Sequence, residues 1–150
     1  MSRASADAKL ISDIERYGWH CLHVAPRVGQ EGTPFTYTIG LTKTLNHPEL
    51  AIFGLGRDTS HAILSDCVKD IRAGTTYPVD TPVADVVSGD WLVLFKRVRN
   101  DCLHEYFGTA RRYYDEAPFQ VLIMFWQSKS RHFPWESEDQ SVQREAMDVV

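Results

Sequence analysis

The sequence lacks the features that identify many common protein classes. Only three cysteines occur among its 150 residues, and no two of them form a Cys-x-x-Cys pair. Few and widely spaced cysteines are typical of a reducing compartment rather than of a disulfide framework. No apolar run approaches the about 20 residues that span a bilayer, and the N-terminus has no apolar core. We therefore predict a cytoplasmic protein without a membrane segment.

Positive charge is also in deficit. Sixteen Lys and Arg residues stand against twenty Asp and Glu residues, which gives a net charge of -4 and a pI near 5.8. General nucleic-acid binders usually carry a basic stripe and a high pI, so this class is not predicted. The P-loop, G-x-G-x-x-G and G-x-S-x-G patterns are absent as well, and no cofactor or metal site is predicted.

What remains is the composition of an ordinary globular domain, 43% hydrophobic and 24% charged. We predict one α+β domain over residues 1–150, with a mostly antiparallel sheet of about five strands and about three flanking helices. Its core spans about residues 5–135, and residues 136–150 form a polar tail or a frayed helix. The predicted elements are a helix ending at Gly18, strands at 19–24, 35–42, 50–55, 91–98 and 119–126, an edge segment at 77–87, and helices at 58–74 and 100–114.

The second predicted strand has two unlike faces. Large apolar side chains alternate with small ones, and the small face consists of Thr36, Thr38, Gly40 and Thr42. Such a face is poor core material, and glycine in a strand commonly marks the close approach of a ligand or a second backbone. This pattern predicts the floor of a pocket or of a subunit interface.

Two titratable side chains follow that strand. His47 and Glu49 are two residues apart beside Pro48, which favours an extended backbone at His47, so their side chains leave on the same side. Such a pair is suited to acid–base chemistry, because a carboxylate raises the pKa of a neighbouring imidazole. The alternative is that both side chains hydrogen-bond the backbone of the turn.

Other candidates for a binding site come from histidine and the aromatic residues. His20 and His23 are three residues apart in a strand, which places them on opposite faces and argues against a shared metal. Trp135 lies in an irregular segment and acts either as a plug over the core or as a stacking wall for a flat ligand. The predicted ligand-binding residues are His20, Tyr37, Thr38, Gly40 and Trp135.

Five short pieces of the sequence resemble one family. In order they are Gly18-Trp19-His20, the stretch 35–41, His47-Pro48-Glu49-Leu50, Gly54-Leu55 and Phe133-Pro134-Trp135. Together they are similar to the bacterial and phage family called domain of unknown function 4262, over roughly residues 11–135. Residues 127–131 depart from the family's Pro-Asp-x-x-Gly type turn. The resemblance implies one cytoplasmic domain and no established activity, so it supplies no catalytic residues.

Three classes of function follow from these patterns. The first is a protein that binds a small polar or nucleotide-like ligand in a pocket floored by residues 36–40. The second is a hydrolase or group-transfer enzyme that uses His47 and Glu49 as its acid–base pair. The third is a structural or interaction module, with a homodimer as a possible assembly.

Overall fold

The computed structural model describes residues 3–26, 28–136 and 141–150. Two 3₁₀ turns, Pro134–Glu136 and Ser141–Gln143, accompany the regular elements. The helices are α1 Arg3–Tyr17, α2 Leu41–Thr44, α3 Arg57–Arg72, α4 Asn100–Tyr106, α5 Gly108–Tyr113 and α6 Arg144–Met147. The strands are β1 His20–Val24, β2 Phe35–Ile39, β3 Glu49–Phe53, β4 Pro82–Val83, β5 Val93–Arg97 and β6 Val121–Trp126.

The strands form one mixed sheet in the order β1-β2-β3-β6-β5-β4. β3 and β6 pair in parallel at its centre, and the other four pairs are antiparallel. The predicted α+β class is therefore confirmed. The described part of the chain has six strands where about five were predicted, and six α-helices, several of them short, where about three were predicted. β1 and β4 are the two edge strands.

Helices cover both faces of this sheet. The apolar stripe of α3, predicted from Leu64, Cys67, Val68 and Ile71, packs on one face with β3 side chains such as Leu50. The opposite face carries Tyr37, Ile39 and Phe53 of β2 and β3, and α1, α4, α5 and α6 pack against it. The side chains of β2 and β3 are buried on both faces as a result.

Two predicted elements differ from those observed. The second strand ends at Ile39 because Gly40, at φ +116°, turns the chain directly into α2. The helix predicted at 100–114 is two helices, since Phe107 leaves the helical conformation with φ -121° and ψ 40°. The shared apolar stripe hides this break from the sequence, because both helices bury the same face.

The C-terminal segment is more closely packed than predicted. Residues 137–140 of the predicted tail lie outside the described ranges, but Ala146 and Val149 are buried against the core. The amide of Arg99 donates to the carbonyl of Val149 at 2.9 Å. This part of the segment is therefore integrated into the domain rather than frayed.

Candidate functional site

The threonine face of β2 is closed rather than open. Thr36 and Thr38 are both 0% exposed, because β1 and β3 flank the strand and α3 covers this side of the sheet. The Thr38 hydroxyl donates to Glu49 at 2.9 Å and accepts from the amide of Leu50 at 3.0 Å. His23 bonds Thr36 through Nδ1 and Oγ1 at 2.6 Å. The prediction of a pocket floor here is wrong, since the protein's own groups occupy the face.

The buried carboxylate of Glu49 explains why hydroxyl side chains occur around the end of β2. Its carboxylate is 0% exposed and accepts five hydrogen bonds. Two of the donors are the first amides of α2, from Leu41 at 3.1 Å and Thr42 at 2.9 Å. The others are the hydroxyls of Thr38 at 2.9 Å, Thr42 at 2.8 Å and Tyr114 at 2.5 Å.

This carboxylate takes the place of a helix cap. Gly40 stands at the N-cap position of α2 and offers no side chain to the free amides, so Glu49 of β3 accepts from them instead. Burial raises the pKa of Glu49 above its ordinary value, while the hydrogen bonds from Tyr114, Thr42 and Thr38 oppose that shift. Glu49 therefore ties β3 to β2, to α2 and to Tyr114, the residue that follows α5.

Tyr37 and Gly40 belong to the same scaffold. A Cβ atom on Gly40 would lie 3.0 Å from the carbonyl oxygen of Gly18, so the glycine permits a close approach of two backbones. The amide of Gly40 donates to the Tyr114 hydroxyl at 3.0 Å. Tyr37 is 1% exposed, and burial raises its pKa to about 12. These residues shape the fold around Glu49 rather than a solvent-filled cavity.

His47 is held separately from Glu49. Its Nδ1 lies 2.8 Å from the carbonyl oxygen of Pro48, and its Nε2 accepts from the amide of Tyr77 at 3.4 Å. Burial lowers the pKa of His47, whose side chain is then neutral and donates through Nδ1. Each side chain is bonded to its own set of internal partners, and the two residues are 4% and 0% exposed.

A groove lies along the outer edge of β1, and we call it the edge groove. Its volume is about 1010 Å³, and it is bordered by Trp19 and β1, by α1, and by one side of α3. The α3 side presents Arg57, His61, Ser65 and Arg72, whose spacing places them along one face of the helix. His20 is the one predicted ligand-binding residue that lines this groove.

Positive charge is concentrated in the edge groove. Five Lys or Arg residues and three His residues line it, against two Asp residues. Asp13 accepts from Lys9 at 2.9 Å and from His20 at 2.7 Å, and the second aspartate, Asp7, pairs with Arg112 at 2.7 Å. Among the described residues, no carboxylate pairs with the three remaining cations, Arg16, Arg57 and Arg72.

Aromatic surface accompanies these cations. The ring of Trp19 stacks on the imidazole of His61, with centroids 5.9 Å apart and planes 21° from parallel. Cys21 also borders the groove, but burial raises the pKa of its thiol to about 11, so it is not a reactive thiolate at neutral pH. The groove thus offers cations and stacked rings, which are binding groups rather than a nucleophile.

Trp135 lies in a different place. It is 42% exposed and borders a cleft of about 540 Å³ beside β4 and β5, at the opposite edge of the sheet from His20. Phe133 stacks on its ring at 5.0 Å, and the Lys96 ammonium lies 4.9 Å from the ring centroid. The five predicted ligand-binding residues are therefore not brought together in one site.

The α3 side of the edge groove is not among the binding residues predicted from the sequence. Arg57, His61 and Arg72 recur at helical spacing on the polar side of α3, and this was the available signal. The charge imbalance itself was not visible, because its members come from α1, β1, α3 and α5. The surplus of positive charge arises only when the fold brings these distant elements together.

Comparison with known proteins places the chain by family. The family model described as domain of unknown function (DUF4262) matches residues 13–139. The chain belongs to the DUF4262 family. No curated protein and no solved structure matches it. In this DUF4262 protein, three pieces that carried the resemblance meet at one point, since Gly40 touches Gly18 and Glu49 bonds Thr38.

Two wider classes of feature are not found among the described residues. No helix among them combines the length and the apolar character needed to cross a membrane. No group of three or more His, Cys, Asp or Glu side chains in the same residues is arranged to hold a metal ion.

Proposed function

We propose that this DUF4262 protein is a binding protein whose ligand is anionic and occupies the edge groove. The observation that carries the proposal is the charge of that groove. Three arginines without a carboxylate partner line it, although the whole chain has a net charge of -4. A concave surface with a surplus of one charge attracts the opposite charge and raises its local concentration.

The middle of the groove suits the small, nucleotide-like ligand that the sequence predicts. Arg57 lies one helical turn before His61, so its guanidinium and the Trp19–His61 ring pair are neighbours on the same wall. Guanidinium groups bind phosphate oxygens in a bidentate manner, and aromatic faces stack on planar groups. The edge groove, rather than the threonine face, therefore carries groups that recognise an anion with a planar part.

An enzymatic function built on His47 and Glu49 has less support. General acid–base catalysis requires the catalytic group to lie within hydrogen-bond reach of the substrate. Both side chains are buried, and their polar atoms are engaged by Pro48, Tyr77 and the five donors around Glu49. Their geometry favours a role in holding the fold together.

A thermal-shift experiment tests the proposal. Inorganic phosphate, pyrophosphate, mononucleotides and short polyglutamate serve as anionic probes, each at low and at high ionic strength. A probe that binds the folded state raises the melting temperature by mass action, and salt weakens the effect because the contacts are charged. We expect at least one probe to stabilise the protein.

The variants Arg57→Ala and Arg72→Ala test whether the rise in melting temperature comes from binding in the edge groove. Lys69→Ala is the matched control, because it removes the same charge from the same helix at an exposed position that does not border the groove. We expect the two arginine variants to reduce the shift and the lysine variant to retain it. Equal responses of all three variants, or no stabilisation by any probe, would contradict the proposal.

A further inference from the structure

The two edges of the sheet differ in how well they are protected. The outer strand β4 has only two residues and begins with Pro82, and both features discourage further pairing. β1 has five residues and contains neither proline nor lysine. Within the described ranges, backbone hydrogen bonds join β1 only to β2. Every second residue of β1 therefore leaves its N–H and C=O groups unpaired along the edge groove.

The side chains around this open edge give it a chemical preference. On the α3 side of the sheet, Cys21 and His23 of β1 face the wall that carries Arg57 and Arg72. On the other side, Leu22 packs against the apolar core near α1. An added strand would thus meet the cations of α3 on one side and a mixed surface on the other, where Leu22 is apolar and His20 pairs with Asp13 of α1.

The length of the charged wall matches a short extended segment. Arg57 and Arg72 are the first and last residues of the sixteen-residue helix α3. At 1.5 Å per residue their separation along the helix is about 22 Å. An extended chain rises by about 3.3 Å per residue, so about seven residues cover the same distance.

We infer that the edge groove accepts an extended acidic segment of another protein, which adds to the sheet as a strand beside β1. Carboxylates on one side of this segment lie over Arg57 and His61, and its backbone pairs with β1. Arg72, whose guanidinium donates to the carbonyl oxygen of Tyr17, adds positive charge at the end of the wall. The inference rests on the proposed anionic preference of the groove and names the partner. A second copy of this chain fits less well, because it would bring its own Arg16, Arg57 and Arg72 against the same three cations.

Fluorescence anisotropy with labelled peptides of about eight residues tests the inference. The first peptide alternates Glu with Val, and the second alternates Lys with Val. Two further versions of the acidic peptide carry backbone N-methyl groups. One version is methylated at the residues whose N–H groups point to one edge of the strand, and the other at the residues whose N–H groups point to the opposite edge. We expect the acidic peptide to bind and the basic peptide not to bind.

Backbone pairing makes the two N-methylated versions unequal. Methylation on the edge that faces β1 removes two or three hydrogen bonds and should weaken binding more than about tenfold, whereas methylation on the far edge should have little effect. Arg57→Ala and Arg72→Ala should each weaken the acidic peptide by about two- to fivefold, as for exposed ion pairs, with Lys69→Ala as the control. Equal affinity of both methylated versions, or of the acidic and basic peptides, would overturn the inference.

The result also separates this inference from the proposed function. If mononucleotides or phosphate bind in a manner that depends on Arg57 and the acidic peptide does not bind, the groove is an anion site but its partner is not an extended segment. If no anionic probe of any kind binds, both proposals fail.

Discussion

Removal of the Glu49 carboxylate tests the structural core of this account. The structure predicts that Glu49→Ala costs more stability than Glu49→Gln, because the two variants leave different numbers of donors without an acceptor. Alanine removes the acceptor for all five hydrogen bonds. The hydroxyls among the donors can turn to other partners, but the amides of Leu41 and Thr42 cannot.

The magnitudes follow from that difference. A buried donor without a partner costs about 1–3 kcal/mol, so the two orphaned amides give about 2–6 kcal/mol for Glu49→Ala, and the cavity adds to this loss. Glutamine retains one carbonyl oxygen, which can still serve Leu41 and Thr38. The NH₂ group of glutamine would face the N–H of Thr42, donor against donor, so we expect Glu49→Gln to lower the free energy of unfolding by about 1–3 kcal/mol. Domains of this kind have a total stability of about 5–15 kcal/mol, so both losses are measurable.

The assay is urea denaturation at neutral pH, followed by the fluorescence of the four tryptophans. Glu15→Ala and Glu15→Gln are the controls, because Glu15 is exposed on α1. We expect both control variants to lie within about 0.5 kcal/mol of the unmodified protein. A loss below about 1 kcal/mol for Glu49→Ala, or equal losses for the Ala variants of Glu49 and Glu15, would show that the five hydrogen bonds do not stabilise the fold as described.

Three further predictions concern the same fold. Gly54→Ala should destabilise the protein by more than about 2 kcal/mol, since φ is +86° and the added Cβ would lie 2.5 Å from a carbonyl oxygen of the C-terminal segment. Gly56→Ala, with open space around its Cβ, should be nearly neutral in the same denaturation assay, and equal losses would contradict this. Because burial lowers the pKa of His47, the unfolded state binds the proton more tightly, so stability should fall as the pH drops below 6.5. Between pH 7.5 and 5, the free energy of unfolding should decline less in the His47→Gln variant than in the variant of exposed His132, His132→Gln. Equal declines would contradict a lowered pKa for His47. Because burial raises the pKa of Cys21 to about 11, its alkylation by iodoacetamide at pH 8 should be slow until the protein is unfolded, and rapid alkylation of the folded protein would argue against it.

Local patterns were sufficient for much of the fold. The alternation in β2 predicted the strand and the split between its two faces, and the stripe of α3 predicted that helix and the face it buries. Glycine at position 40 indicated a close approach by a ligand or by a second backbone, and the structure shows a backbone, that of Gly18. These features depend on neighbours in the sequence or on the shape of a single residue.

The candidate site depended on contacts that local patterns do not contain. The small face of β2 was interpreted as a pocket floor, because nothing in residues 35–42 shows that the carboxylate of Glu49 fills the end of that strand. The same limit applies to the edge groove, whose Lys and Arg residues lie on three different helices. The two-residue spacing predicted that the side chains of His47 and Glu49 leave the backbone on the same side. In the structure His47 instead bonds Tyr77, and Glu49 bonds the amides of α2.

Amide chemical shifts provide the most direct test of the central claim, that an anion binds along β1 and α3. A ¹H–¹⁵N titration of the unmodified protein with pyrophosphate or an acidic peptide reports every backbone amide in one experiment. If an anion binds there, the shifted resonances cluster at residues 19–23 and along the Arg57, His61 and Arg72 side of α3. Shifts confined to the cleft at Trp135, or no shift beyond that caused by added salt, would contradict it.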